Sequence, residues 1–175
     1  GIVINVGVNK LRKKFYSALE EHREQLGEKA CQHFCQLFES VKALDDEVTR
    51  YQKQICAEGK DKQSVQILSE LPTVGIHIAT YAIAMYGECA QFKNGRDFAA
   101  NLGLVPRQYG TGGKVRLGPI TKRGDAYLRK ALIHGARSVV RYAAGKDDSL
   151  SLWLNKLKSS KGTNVAAVAL ANKVA

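Results

Sequence analysis

The strongest constraint on the fold is a stretch in which apolar residues recur at alternating steps of four and three. The positions are Ala30, Phe34, Leu37, Val41, Leu44, Val48, Tyr51 and Ile55. This is the heptad seam of a coiled coil, and it predicts one long helix with an apolar stripe. Val8, Leu11, Phe15 and Leu19 predict an amphipathic helix before it, over residues 8–24, interrupted at Gly27.

The seam admits two partners. It packs against the residue 8–24 helix in an antiparallel hairpin, or it pairs with a second copy in an intermolecular coiled coil, and both can hold. Residues 9–62 contain eleven bases and ten acids, so the remaining faces of these helices are expected to be solvated rather than bound to phosphate.

Gly59-Lys60-Asp61-Lys62 is a polar break, which predicts a boundary between an arm at residues 1–60 and a domain at residues 61–175. In that domain we expect helices near 65–71, 76–86, 95–102, 125–144, 149–158 and 164–175. Prolines and glycines between residues 103 and 121 forbid a helix, and Val115 and Leu117 around Arg116 suit a short strand or hairpin arm. The predicted fold class is mainly α, a long coiled-coil helical arm followed by a compact helical domain with a Gly-rich basic loop.

Positive charge is concentrated in one window. Residues 105–146 contain ten Lys or Arg and only one acid, Asp125. This window therefore carries nine of the net eleven positive charges. A polyanion is the usual partner of such a surface, because each neutralised phosphate releases condensed counterions. The composition therefore favours nucleic-acid binding. No apolar run approaches the length of a membrane span, and a cytoplasmic, nucleoid-associated location is expected.

Leu71-Pro72-Thr73-Val74-Gly75 separates two predicted helices in the manner of a helix-hairpin-helix element. In such a turn Gly75 allows a close backbone approach, and the amides at the start of the second helix bind a phosphate. The alternative is a purely structural helical hairpin.

The loop Gly110-Thr111-Gly112-Gly113-Lys114 places a hydroxyl beside backbone amides and cations. Its spacing is not that of a Walker A loop. These donors suit a phosphodiester, either as a site of attack with Thr111 as nucleophile or as a simple grip on the backbone. The histidines and acids form no recognisable catalytic set, the four cysteines are expected to be free or structural, and no metal site is predicted.

Four ordered motifs closely resemble the C-terminal domain of the DEDD-type insertion-sequence transposases, a family that includes the pilin-gene invertases and the bridge-RNA-guided recombinases. They are the Leu71–Gly75 turn, the run Phe92–Gln108, the run Gly112–Asp125 and the segment Leu132–Arg137, and the match covers residues 65–142. The coiled-coil segment resembles the linker that these proteins carry.

The resemblance implies a piece of a DNA transposase or site-specific recombinase that acts with a RuvC-like domain bearing four metal-binding acids and Mg²⁺, and that is inactive without it. The family usually has serine before Gly112, where this chain has Gly110 and Thr111, so Thr111 is the expected nucleophile. The expected DNA-binding residues are Gly75, Arg107, Gly112, Gly113, Lys114, Arg116, Lys122, Arg123 and Arg129.

DNA, with or without a guide RNA, and further copies of the chain are the expected partners. The alternative function is a non-catalytic helix-hairpin-helix module for DNA binding and oligomerisation. A third is an oligomerisation arm alone.

Overall fold

The computed structural model describes residues 7–111 and 113–175, without the side chain of Thr111. The chain is mainly helical, with a long helix and a compact helical C-terminal region, as the sequence predicts. The elements are α1 Val8–Glu21, α2 Arg23–Leu26, α3 Glu28–Lys60, α4 Gln63–Ser69, α5 Ile76–Tyr86, α6 Gly95–Asn101, β1 Pro106–Thr111, β2 Lys114–Ile120, α7 Ala126–Tyr142, α8 Ser149–Lys161 and α9 Thr163–Val174. In the described part, every helix is too short or too polar to traverse a bilayer.

The chain divides into two compact units, one ending at Tyr51 and one covering Gln52–Ala175. The predicted boundary at residue 60 stays a prediction.

In the first unit an aromatic cluster joins α1 to α3. Phe15 stacks on Phe38 with ring centroids 4.0 Å apart, and Tyr16 meets Phe38 edge to face. Arg12 pairs with Asp45 on the same side of α3. The contacts of α1 therefore follow a face of α3 marked by Phe38 and Asp45, which is not the heptad seam.

The seam itself lies on the surface of the first unit. Its side chains from Phe34 to Tyr51 are between 42% and 61% exposed. The predicted long helix is present, but α1 covers a neighbouring stripe, so the seam stays open.

The core of the second unit is built around α7. Leu128, Leu132, Ala136 and Val140 recur on one face of α7 and are buried. Helix α9 meets them with small side chains, and its Ala166, Ala167, Leu170 and Ala171 are buried as well. The small alanine side chains allow the backbones of α7 and α9 to approach closely, and this helix pair forms the core that supports the loops.

Strands β1 and β2 form a two-stranded antiparallel hairpin, longer than the short arm that the sequence predicts. Pro106 pairs with Ile120 and Thr111 with Lys114, with an irregularity between Pro106 and Gln108. Every strand of a two-stranded sheet is an edge strand, where proline costs no ladder hydrogen bond. The prolines at positions 106 and 119 are therefore compatible with strands here.

Candidate nucleic-acid interface

Two glycines fix the base of the hairpin by backbone packing. Gly103 has φ 69°, and a Cβ there would lie 2.4 Å from the Arg123 nitrogen. Gly124 has φ 74°, and a Cβ there would lie 1.8 Å from the Asn101 carbonyl oxygen. Only glycine combines a positive φ with this closeness. The Lys122 amide donates to the Gly103 carbonyl at 3.0 Å, so the segment after β2 is held against the end of α6.

Arg129 holds the same base from α7. Its Nη1 donates to the carbonyl oxygens of Leu102 and Arg123, each at 3.0 Å, and it lies 3.5 Å and 3.4 Å from those of Gly124 and Asp125. Leu102 directly follows α6, and residues 123–125 lead into α7, so this one guanidinium ties the two segments together. Sequence reasoning missed this internal role, and its prediction that Arg129 binds DNA stays a prediction.

The single acid of the cationic window caps a helix. Oδ1 of Asp125 accepts hydrogen bonds from the Tyr127 and Leu128 amides at the start of α7. Its Oδ2 accepts one from the Tyr81 hydroxyl at 2.9 Å, which ties α5 to α7. The carboxylate is thus satisfied internally by neutral donors.

Opposing effects act on the pKa of Asp125. Burial alone raises the pKa, but the Leu128 amide, the Tyr81 hydroxyl and the Tyr127 amide stabilise the charged form, as does the nearby Arg129 charge. The pKa of Asp125 therefore lies below its usual value, and the hydrogen bond to Asp125 raises the pKa of Tyr81, aided by burial.

The arms of the hairpin present cations to solvent. Arg107, Lys114 and Arg116 are exposed, and Tyr109, itself exposed, lies opposite Arg116. Arg107 Nη2 donates to the Thr121 carbonyl at 3.4 Å. Across the described residues of the second unit, no Lys or Arg lies within ion-pairing distance of a carboxylate. Exposed, unneutralised cations on a rigidly based hairpin are suited to phosphate contacts.

The structure describes the predicted residues at the tip of the hairpin only in part. Gly112 and the side chain of Thr111 lie outside the described residues. The backbone of Thr111 ends β1 opposite Lys114, and Gly113 has φ 79° with open space around its Cα.

The turn between α4 and α5 packs against α7. Gly135 lies on α7 where a Cβ would be 2.2 Å from the Thr73 carbonyl oxygen, and Thr73 adopts a positive φ of 91°. Gly75 precedes α5, and a Cβ there would meet nothing within 4 Å. Helix α7 therefore supports both predicted phosphate-binding features, the turn through Gly135 and the hairpin base through Arg129.

A groove of about 260 Å³ lies between the end of β2 and α7. It is lined by Ile120, Lys122, Ala126, Arg129, Lys130, Ile133, His134 and Arg137. Three of its polar residues, Lys130, His134 and Arg137, were absent from the sequence-predicted site. Their spacing of four and three places them on one helical face, which is the sequence signal that could have found them.

In the described part of the chain, His, Cys, Asp and Glu side chains do not gather in groups of three that could hold a metal ion.

The chain matches proteins of known families. The model of the transposase IS116/IS110/IS902 family matches residues 65–149. A probable family 20 transposase of Pseudomonas aeruginosa is 47% identical over 138 residues, which is 79% of this chain and 41% of that protein. The transposase for insertion sequence element IS1111A of Coxiella burnetii is 40% identical over 137 residues, 78% of this chain and 38% of that protein. The transposase for insertion sequence element IS1328 of Yersinia enterocolitica is 35% identical over 144 residues, 82% of this chain and 41% of that protein.

The aligned part of the chain spans about two fifths of the length of these curated relatives. The matched family domain contains the hairpin, its base and α7. The domain match and the relatives together show that the chain belongs to a transposase family.

Proposed function

We propose that this chain is the C-terminal part of a transposase or site-specific recombinase and that it binds DNA through the β1–β2 hairpin and the loop after it. The observation that carries the proposal is the charge state of this surface. Arg107, Lys114 and Arg116 are exposed without an ion pair to any described carboxylate, and Asp125 is occupied by the cap of α7.

The test is the salt dependence of DNA affinity. For the 175-residue chain, Lys114→Gln and Arg116→Gln should each reduce the slope of log K against log salt by about 0.9 for every duplex phosphate that the wild-type side chain neutralises. Lys29→Gln is the matched control, since Lys29 is exposed on α3 in the first unit. Equal slopes in the wild type and all three variants would refute binding through the hairpin.

We further propose that Thr111 supplies the nucleophile for strand exchange. Its hydroxyl oxygen would form a bond to the phosphorus of the scissile phosphodiester while the sugar oxygen of the broken strand leaves and takes up a proton. Supporting this role are the position of Thr111 at the end of β1, opposite Lys114, and the resemblance of the flanking motifs to a family with serine there. Cations beside the attacked phosphate would stabilise the charge that develops during attack.

Substitution at position 111 separates catalysis from binding. In the longer protein, Thr111→Ala should abolish covalent protein–DNA product, and Thr111→Ser should retain it or increase it because the β-methyl no longer crowds the attack. DNA affinity should be unchanged in both. If Thr111→Ala recombines normally, the alternative of a non-catalytic DNA-binding and oligomerisation module is favoured.

The remaining chemistry is proposed for a RuvC-like domain outside this sequence, with four metal-binding acids and Mg²⁺, as in the DEDD-type family. The short share of each relative that the chain covers supports this division. A guide RNA is proposed as an additional partner on the same family resemblance. Copurification of a discrete RNA with the longer protein, and loss of recombination after its removal, is the test.

We also propose that the α3 seam joins two or more copies. Leu37, Leu44 and Val48 are each at least half exposed, and α1 occupies another face of the helix. Leu37→Lys combined with Leu44→Lys should convert the oligomer to monomer in sedimentation, because each buries a charge in an apolar seam. Ala43→Lys, exposed on the same helix but outside the seam, is the control. An unchanged mass in the double variant would contradict seam pairing.

A further inference from the structure

We propose that the groove between the end of β2 and α7 binds one sugar–phosphate unit of a DNA strand, a second contact beyond the hairpin. This inference rests on the proposed DNA binding but concerns residues outside the hairpin, chiefly Lys130, His134, Ile133 and Arg137.

The lining of the groove matches both halves of a nucleotide backbone unit. Ile120, Ala126 and Ile133 are the apolar part of the lining, and Lys122 and Lys130 are among its cations. The described lining contains no carboxylate. A sugar presents apolar carbon and a phosphate presents oxygen acceptors, so a sugar–phosphate unit uses both the apolar and the cationic lining, whereas a free inorganic anion uses only the cations.

The polar side chains of the groove are arranged by α7 and its neighbours. Lys130, His134 and Arg137 lie on one face, away from the buried Leu128–Leu132–Ala136 stripe. Arg137 Nη2 donates to Asn164 Oδ1 at 3.3 Å, which orients the guanidinium from α9. An oriented guanidinium loses less conformational entropy on binding a phosphate.

The groove also continues the path of the hairpin. Ile120 is the last residue of β2, and Lys122 follows it by two positions. A strand that contacts Arg116 on β2 can therefore pass into the groove without leaving the protein surface. Since Nη1 of Arg129 is committed to carbonyl groups, Lys130 and Arg137 are the principal donors.

Single substitutions in the 175-residue chain test the site. With a short single-stranded oligodeoxynucleotide as probe, Lys130→Gln and Arg137→Gln should each lower the salt slope of binding by about 0.7 if each wild-type side chain neutralises one phosphate. Arg141→Gln is the matched control, because Arg141 is exposed on the same helix four residues beyond Arg137 and is not part of the lining. Equal effects at all three positions, or none at Lys130 and Arg137, would overturn the site.

Isoleucine methyl NMR gives a readout that does not depend on substitution. The Ile120 and Ile133 methyl signals should shift when the oligonucleotide is added, and the signal of Ile83, which lines a separate apolar cavity, should not. Unshifted Ile120 and Ile133 signals with binding that still depends on Lys114 would refute the groove alone. If the wild-type chain does not bind the oligonucleotide at all, the proposed function itself is refuted.

Discussion

The two units of the chain treat charge in opposite ways. The first unit has eight bases and eight acids and so is neutral, while the second has nineteen bases and eight acids and carries the entire net charge of +11. All five ion pairs found among the described residues lie in the first unit. The first unit neutralises its own charges, and the second leaves its cations available for an external anion.

The two units also differ in the number of apolar side chains that they bury. The described residues of the first unit bury only Cys31 and Phe38 among their apolar side chains, whereas the second unit has a continuous core around α7 and α9. The second unit therefore has both the unneutralised positive charge and the larger apolar core, and the free energy of apolar burial can offset the repulsion between its charges.

The largest loss of stability is expected at Gly124, where two backbone segments are in close contact. Gly124→Ala should destabilise the second unit by about 3 kcal/mol, since it adds left-handed strain to a collision with the Asn101 carbonyl. Gly27→Ala in the first unit has a similar φ of 76° but open space, and should cost only about 1 kcal/mol.

Urea unfolding measures both variants. Fluorescence of Trp153, the chain's single tryptophan, reports on the second unit. Circular dichroism at the helix band reports on the helices of both units, so unfolding of the first unit is the change in circular dichroism that has no counterpart in the fluorescence. Equal costs at the two glycines would show that tight backbone packing does not distinguish the units.

A smaller effect is expected at the one acid of the cationic window. Asp125→Ala should cost about 1–2 kcal/mol near neutral pH through loss of the α7 cap, and Asp125→Asn less because Asn also caps helices. The folded pKa of Asp125 is depressed, so its stabilisation is present above the unfolded pKa of about 3.9 and is lost as pH falls through the folded value.

The Trp153 unfolding transition of wild type and Asp125→Asn should therefore converge as the solution is acidified. Their difference at neutral pH should persist in about 1 M salt, where screening acts over ~3 Å, because the donors to Asp125 are mainly neutral groups. A difference abolished by salt would mean that Asp125 acts by pairing with cations, which would make the second unit resemble the first.

The smallest effect is expected for the ion pairs of the first unit. A double-mutant cycle on Arg12→Gln and Asp45→Asn should give a coupling below about 1 kcal/mol, because exposed pairs gain little, and these side chains are 42% and 45% exposed. Thermal melts at low and high salt should show the coupling vanish with salt. A coupling that survives salt would show that the first unit depends on its charges more than its exposure indicates.

Sequence reasoning succeeded where the signal is local. The α5 bounds of 76–86 were predicted as observed, and the helix expected near 95–102 is α6, whose cap residue Asn94 accepts from the Asp97 amide. The helical period and capping chemistry act over a few residues, so they can be read directly from the sequence.

It failed where the deciding contact joins distant positions. The packing of Gly135 on Thr73 and the four carbonyl contacts of Arg129 depend on the folded arrangement. The face of α3 chosen by α1 depends on which aromatic side chain Phe15 meets. The groove lined by Lys130 and His134 likewise depends on how the end of β2 lies beside α7.

The glycine crossing at the hairpin base has a consequence for redesign. The clearances that forbid a side chain at Gly103 and Gly124 are set by main-chain atoms of residues 101, 122 and 123, so the identities of the tip residues do not enter them. Substitutions among the described tip residues other than Thr111 would therefore leave the packing at Gly103 and Gly124 unchanged. Under the DNA binding proposed above, exchanging those side chains would change the preferred DNA while the supporting helices stay as they are.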